Sequence, residues 1–288
     1  MALARLSPAC AAVASCIALS CAFAAAHAQD KPADDYQPQI GQLGKDVVWV
    51  PTPDRLIHRM LQLADVTPRD VVVDLGSGDG RIPIAAARRF GARGIGVEFD
   101  ARLVEYSKRA AQREGVAQRV QFLEMDMFRF DLSVASVVAL YISPALMTRL
   151  RPQLLQLKPG VRVVSHQFTL GDWEPDEMIR VENTPGYLWI VPARAGGAWK
   201  LRLDDQEYEL RLDQQHQLLR GTAAAVDKNA ALRSAPVIAA RLRGEEIRFT
   251  FVDRDGYARA FTGRISGDTM AGVARAHDRR ELQWSARR

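Results

Sequence analysis

The residues best suited to chemistry lie in one run, Val71-Val72-Val73-Asp74-Leu75-Gly76-Ser77-Gly78-Asp79-Gly80-Arg81. An apolar strand here delivers an acid and three glycines at alternate positions into a helix start, so the backbone can bend sharply and approach a ligand without Cβ interference. Such a loop cradles something polar. A dinucleotide fingerprint would put its third glycine at position 81, which is Arg81. Asp79 would also face a pyrophosphate as a like charge in a partly desolvated site. A ligand carrying sulfonium and ammonium charges suits the loop better, and Asp74 at the strand end is placed to attract its cationic amino-acid end.

Alone, the loop could be a structural turn, but two further acids argue for a site. Glu98 ends a second strand, where a carboxylate can accept hydrogen bonds from both hydroxyls of a ribose. Asp126 follows a third and is placed to accept from an adenine amino group, with Met127 packing on the ring. Acids at the carboxyl ends of successive strands are what a ligand at the switch point of an open sheet requires. Tyr141 ends a fourth strand, where it either faces the ligand's reacting end or closes the core. His166 ends a fifth and either takes a proton or is packed, and His58, within the first helix, reads as a surface residue.

The elements that must position these residues are short apolar runs separated by helical stretches. Strands are expected at residues 71–75, 94–97, 120–123, 136–141 and 161–165, with helices at 81–90, 101–114 and 145–157 between them. Asp100 should cap the second of these helices and Gly115 should stop it. An earlier amphipathic helix ends near Asp65, with Thr52 as its cap and Pro53 at its first position. Five alternating strands argue for an open doubly wound sheet, and residues 178–182 and 187–191 should add an antiparallel hairpin around Pro185-Gly186. Beyond Pro192 the chain turns to alternating runs at 199–203, 208–212, 218–222, 237–242, 247–252, 258–265, 270–273 and 282–286. These predict a small barrel or sandwich, its turns marked by Gly263, Gly267 and Gly272 and its core built on Trp199, Phe249, Phe251, Phe261 and Trp284. A lipocalin-like ligand cavity there rests on fold analogy alone.

The glycine loop and its acids resemble the motifs of class I S-adenosylmethionine-dependent methyltransferases, a Rossmann-like α/β fold with a seven-stranded sheet. With Trp49-Val50-Pro51-Thr52-Pro53, Arg162-Val163-Val164-Ser165, Phe168 and Trp173-Glu174-Pro175, the resemblance narrows to the lysine N-methyltransferases of mitochondrial ATP synthase and the adenine nucleotide translocase. It covers residues 48–176. It implies S-adenosylmethionine held by Thr52, Asp74, Gly76, Gly78, Gly80, Glu98, Asp126 and Met127, with Pro51-Thr52 closing over it and Tyr141 as the catalytic residue. The acceptor would be a protein or a small amine, and in-line displacement at a sulfonium needs no metal.

The domain plan is a signal peptide at 1–28, a linker or arm at 29–47, the methyltransferase domain at 48–193 and the all-β domain, of unknown role, at 198–288. Residues 1–28 carry Arg5, then an Ala-rich apolar run, then Ala26-His27-Ala28, the pattern of a leader cut before Gln29. A membrane anchor at 9–26 and a lipoprotein box at Val13-Ala14-Ser15-Cys16 are the competing readings, and membrane contact is expected only if this segment is retained. Cys10, Cys16 and Cys21 all lie within it, so the mature chain would have no thiol, disulfide or cysteine metal site. Loss of Arg5 lowers the formal charge from +5 to +4. Basic residues are scattered, without the basic and aromatic stripe of a single-strand binder, so no nucleic acid partner is expected. The leader implies a periplasmic or secreted protein, where a permanently charged cofactor does not arrive by diffusion through a bilayer. The competing function is therefore an exported, non-catalytic nucleotide- or ligand-binding protein that keeps this fold.

Overall fold

The computed structural model describes residues 36–43, 48–226, 234–276 and 280–288. The expected leader, and most of the expected arm, lie outside these residues. Among the described residues no helix is long and apolar enough to cross a membrane.

The first layer is a seven-stranded sheet of order β3-β2-β1-β4-β5-β7-β6. Its strands are β1 (Val71–Leu75), β2 (Arg93–Glu98), β3 (Val120–Glu124), β4 (Val137–Leu140), β5 (Arg162–His166), β6 (Glu177–Val181) and β7 (Thr184–Ile190). The first five are parallel, and β7 and β6 complete the edge in antiparallel sense. β1 is buried along its whole length, as a central strand covered on both faces must be. Because β1 pairs with β2 on one side and β4 on the other, the chain reverses its winding there and leaves a crevice at the strands' carboxyl ends.

Helices α1 (Asp54–Leu63), α2 (Arg81–Phe90), α3 (Ala101–Arg113) and α4 (Pro144–Leu154) cover the sheet. α1 buries Leu56, Ile57, Met60 and Leu61, one apolar stripe at helical spacing. Asp100 caps α3 by accepting from the Arg102 amide, and Gly115 turns the chain away with φ +69°. Ser143 caps α4 with Pro144 in its first turn.

Four local expectations are corrected. Pro53, not Thr52, precedes α1, and no side chain caps that helix. The Thr52 hydroxyl is instead engaged by His166 Nδ1 at 3.0 Å. The β6–β7 turn is made by Glu182 and Asn183, both in the left-handed region (φ +49° and +70°), which suits a two-residue hairpin. Pro185 and Gly186 lie inside β7, where Gly186 leaves room for α1: a Cβ there would sit 3.0 Å from Met60 Cγ. His58 is half-buried, its ring 5.6 Å from that of Phe90. Gly263 and Gly272 pair with each other in mid-strand, and a Cβ on Gly263 would meet Trp284 Cζ2 at 2.6 Å. Of the three glycines only Gly267, at φ +56°, makes a turn.

The second layer is a closed, antiparallel eight-stranded barrel. It comprises β8 (Gly197–Leu203), β9 (Gln206–Gln215), β10 (Leu218–Ala225), β11 (Ser234–Arg243), β12 (Glu246–Val252), β13 (Ala258–Ser266), β14 (Thr269–Arg275) and β15 (Glu281–Arg287). Pairing of β15 with β8 removes the open edges a sandwich would keep. Trp199, Phe249, Phe251, Phe261 and Trp284 are all buried in its core, with Phe249 and Phe261 stacked at 4.7 Å. The barrel is fastened to the sheet's β5–β6 connection and edge: Arg241 pairs with Asp176 at 3.0 Å, Arg243 with Glu177 at 2.6 Å, and Gln217 Nε2 donates to the Glu174 carbonyl at 2.7 Å.

Candidate active site

A cavity of about 430 Å³ opens at the carboxyl ends of β1 to β4, within the range typical of small-ligand pockets. Every residue expected to bind the cofactor except Gly80 lines it directly: Thr52, Asp74, Gly76, Gly78, Glu98, Asp126 and Met127. Tyr141 lines it too. Gly80 stands just behind, preceding α2 at φ +78°, where a Cβ would strike Phe122 and Ser107.

The loop is held from within. The amides of Gly76 and Ser77 donate to the Val97 carbonyl (2.8 and 3.1 Å), that of Gly80 donates to Ser77 O (2.9 Å), and Ser107 Oγ donates to Gly78 O (3.0 Å). Ser107 was not anticipated as a site residue, though a small hydroxyl on the stripe of Leu103, Val104 and Ala111 is the signal that could have found it. Gly78 serves two demands. Its φ of +55° favours glycine, and a Cβ there would fall against the Trp49 indole, 2.8 Å from Cδ1 and closer still to Nε1.

The three acids are in different states. Asp74 is buried, and among the described residues nothing donates a hydrogen bond to its carboxylate. Burial, then the charges of Asp79 and Glu98, push its pKa well above the ordinary value. Glu98 is preset by three backbone amides: Gly78 N to Oε2 at 2.9 Å, and Phe99 N and Asp100 N to Oε1 at 2.8 and 3.0 Å. Asp126 uses Oδ1 to accept from the Phe128 amide at 3.0 Å, which turns the chain so that Met127 faces the cavity. Among the described residues the lining contains one basic side chain, Arg81, and it is bound by Asp79 through Nε (3.0 Å) and Nη2 (2.7 Å) and by the Thr52 carbonyl through Nη1 (3.0 Å).

At the other end of the cavity Tyr141 stacks on His166 with ring centroids 3.7 Å apart, and Phe168 lies parallel at 6.1 Å. Gln167 between His166 and Phe168 adopts φ +68°, a strained conformation for a side-chain-bearing residue. The resulting tight turn is closed by Phe168 N donating to His166 O at 2.8 Å. Burial lowers the His166 pKa to about 4, so the ring is neutral at physiological pH, and burial raises that of Tyr141. Among the described residues no group of three His, Cys, Asp or Glu side chains is arranged to hold a metal.

The residues fit an S-adenosyl ligand on structural grounds. A buried, unbonded carboxylate at Asp74 awaits a cation, and the acid-rich end of the cavity meets an aromatic end, as a cationic amino acid joined to a nucleoside requires. Sheet order, glycine loop and cavity together define a class I S-adenosylmethionine-dependent methyltransferase. Residues 74–177 match the family model described as the ANTKMT methyltransferase domain. A protein-lysine N-methyltransferase of Saccharolobus islandicus is 38% identical over 151 residues, covering 50% of this chain and 94% of that one. The adenine nucleotide translocase lysine N-methyltransferase of Mus musculus is 34% identical over 131 residues, covering 45% of this chain and 56% of the mouse one. A solved structure titled an RNA methyltransferase from Salinibacter ruber, in complex with S-adenosyl-L-homocysteine, is 49% identical at a TM-score of 0.50, covering 50% of this chain and 95% of that one. The chain belongs to the ANTKMT family of S-adenosylmethionine-dependent methyltransferases.

Proposed function

We propose that the protein transfers methyl groups to the side-chain amine of lysine in a protein acceptor. The observation that carries this reading is the aromatic end of the cavity, where Tyr141, backed by His166, stands with Phe168. Aromatic faces attract ammonium groups and shield them from water. Support comes from the Saccharolobus relative, whose name specifies protein lysine and which this chain covers almost end to end.

When bound, S-adenosylmethionine supplies an electrophilic methyl on a sulfonium. Asp74 attracts the ligand's ammonium, Glu98 accepts from the ribose diol, Asp126 accepts from the adenine amino group and Met127 packs on that ring. Gly76, Gly78 and Gly80 keep the backbone close, and Thr52, tied to His166, fixes the chain that closes the cavity. Tyr141 orients the neutral amine through its hydroxyl, while His166 holds the Tyr141 ring and the Thr52 hydroxyl in place as a neutral imidazole. The amine's proton leaves to solvent rather than to His166. Proximity and orientation carry the acceleration.

The Salinibacter relative is titled an RNA methyltransferase, so RNA is the acceptor to test against. Incubation with methyl-labelled S-adenosylmethionine and, in parallel, protein and RNA acceptors should label protein on lysine. Label in RNA alone overturns the lysine assignment. We also propose that residues 1–28 direct export and are removed, with residues 29–47 as a linker, 48–193 as the methyltransferase domain and 198–288 as a separate all-β domain. Mass analysis of the N-terminus from the native host should find a chain beginning at or near Gln29, and a cytosolic chain beginning at Met1 removes the export proposal.

A further inference from the structure

An S-adenosyl ligand brings a carboxylate as well as cations, and the acid-rich end of this cavity offers that carboxylate little. Among the described residues the lining carries Asp74, Asp79, Glu98 and Asp126 against Arg81 alone, and the charge of Arg81 is matched by Asp79 through three contacts of 2.7 to 3.0 Å. The amides of the glycine loop are nearly all committed. Gly76 and Ser77 donate to Val97 O, Gly78 to Glu98 Oε2, Gly80 to Ser77 O and Arg81 to Asp79 Oδ1. Ser77 Oγ is buried beneath the loop, without a hydrogen-bond partner among the described residues, where a Cβ on Gly96 would lie 2.6 Å from it. Two donors at the loop have no acceptor among the described residues: the Asp79 amide and the Trp49 indole N–H.

Trp49 is held where that N–H is useful. Its amide donates to Gln42 O and its carbonyl accepts from Gly41 N, both at 2.9 Å, and its Nε1–Cδ1 edge rests on Gly78. Gly78 immediately precedes the uncommitted Asp79 amide. Trp49, Gly78 and Asp79 all line the cavity, so an anion bound beside Gly78 has two donors at hand in a lining that, among the described residues, is otherwise rich in acids. We propose that the Trp49 indole N–H, together with the Asp79 amide, binds the carboxylate of the ligand's amino-acid end. Trp49 is thus a cofactor-binding residue that selects for the intact amino acid, a proposal that rests on the cavity taking S-adenosylmethionine.

Isothermal titration with S-adenosylmethionine and its decarboxylated analogue, which differ only in that carboxylate, isolates the contact. Wild-type protein should prefer the carboxylated ligand. Trp49→Phe keeps a ring on Gly78 but removes the donor, and should weaken S-adenosylmethionine by about 10- to 100-fold while leaving the analogue unchanged. Thermal melting of both proteins checks that the variant is folded, and the wild-type comparison stands even if it is not. Equal loss of both ligands in Trp49→Phe, no loss of either, or wild-type protein that binds the two alike overturns the proposal. Wild-type protein binding neither would instead end the cofactor reading itself.

Discussion

Replacing Asp74 by Asn should stabilise the ligand-free protein while weakening the cofactor, because the carboxylate proposed to attract the ligand is a burden without it. Asp74 is buried beside Asp79 and Glu98 with no hydrogen bond to its carboxylate among the described residues. A buried polar group left unsatisfied costs about 1–3 kcal/mol, and a charged one more. Asn removes the charge but keeps the shape, so a gain of roughly 1–2 kcal/mol is expected, or a rise in melting temperature of about 2–8 °C for a chain of this size. The folded pKa lies above the unfolded value, so between the two the folded state binds more protons and wild-type stability falls as pH rises. The advantage of Asp74→Asn should therefore be small in acid, grow as pH rises above about 4 and level off once the folded carboxyl has ionised. Loss of a charge-assisted contact of about 1.5–3 kcal/mol should weaken S-adenosylhomocysteine by roughly 10- to 150-fold. Calorimetric melting across pH, with titration of the ligand, reads both effects. A variant less stable than wild type at every pH would show that the carboxylate is a structural acceptor, and undiminished binding would refute its role towards the ammonium.

Tyr141→Phe should leave S-adenosylhomocysteine binding unchanged and lower kcat by about 10-fold or more if the hydroxyl orients the acceptor amine; parallel titration and turnover separate the two. His166 is depressed to about 4 by burial, so wild-type stability should fall as pH drops from about 6.5 to 4, by up to about 3 kcal/mol. His166→Gln should flatten that slope in denaturant melts taken at several pH values, and an unchanged slope means His166 titrates freely. A fragment of residues 194–288 should give a β-type circular dichroism spectrum with a cooperative melt, because the barrel closes on its own strands; a disordered spectrum would show that it folds only against the sheet.

What could be read from the sequence was local. The apolar run ending in Asp74, the glycines at 76, 78 and 80 and the helix after them are contiguous, so β1, loop and α2 were legible together. The acids at 98 and 126 were legible because strand ends recur with the period of the alternating fold. Pairings between distant residues were not. Thr52 reads as a helix cap by type and position, and only the folded chain brings His166, 114 residues away, to compete for its hydroxyl. Pro185-Gly186 has the composition of a turn, yet the passage of α1 beside Met60 and Leu56 demands a small residue inside β7. Gly263 and Gly272 have the same turn-like composition, but Gly263 is called for by the space under Trp284, on a strand about 20 residues on, and Gly272 by the close approach of the Thr262 carbonyl and Gly263 across the strand pair. Barrel and sandwich were indistinguishable because closure depends on β15 meeting β8 across the length of the barrel sequence.

The central claim is that an S-adenosyl ligand sits at the carboxyl ends of β1 to β3, with its ribose on Glu98. Titration of S-adenosylhomocysteine into wild-type protein and Glu98→Ala tests it most directly, since Glu98 is already aimed by three amides and needs no rearrangement to accept the diol. Wild-type protein should take one ligand per chain, and the variant should lose about 10- to 150-fold in affinity, with Kd for adenosine weakened in proportion. A wild-type chain that binds no ligand, or a folded Glu98→Ala that binds as tightly as wild type, would contradict it.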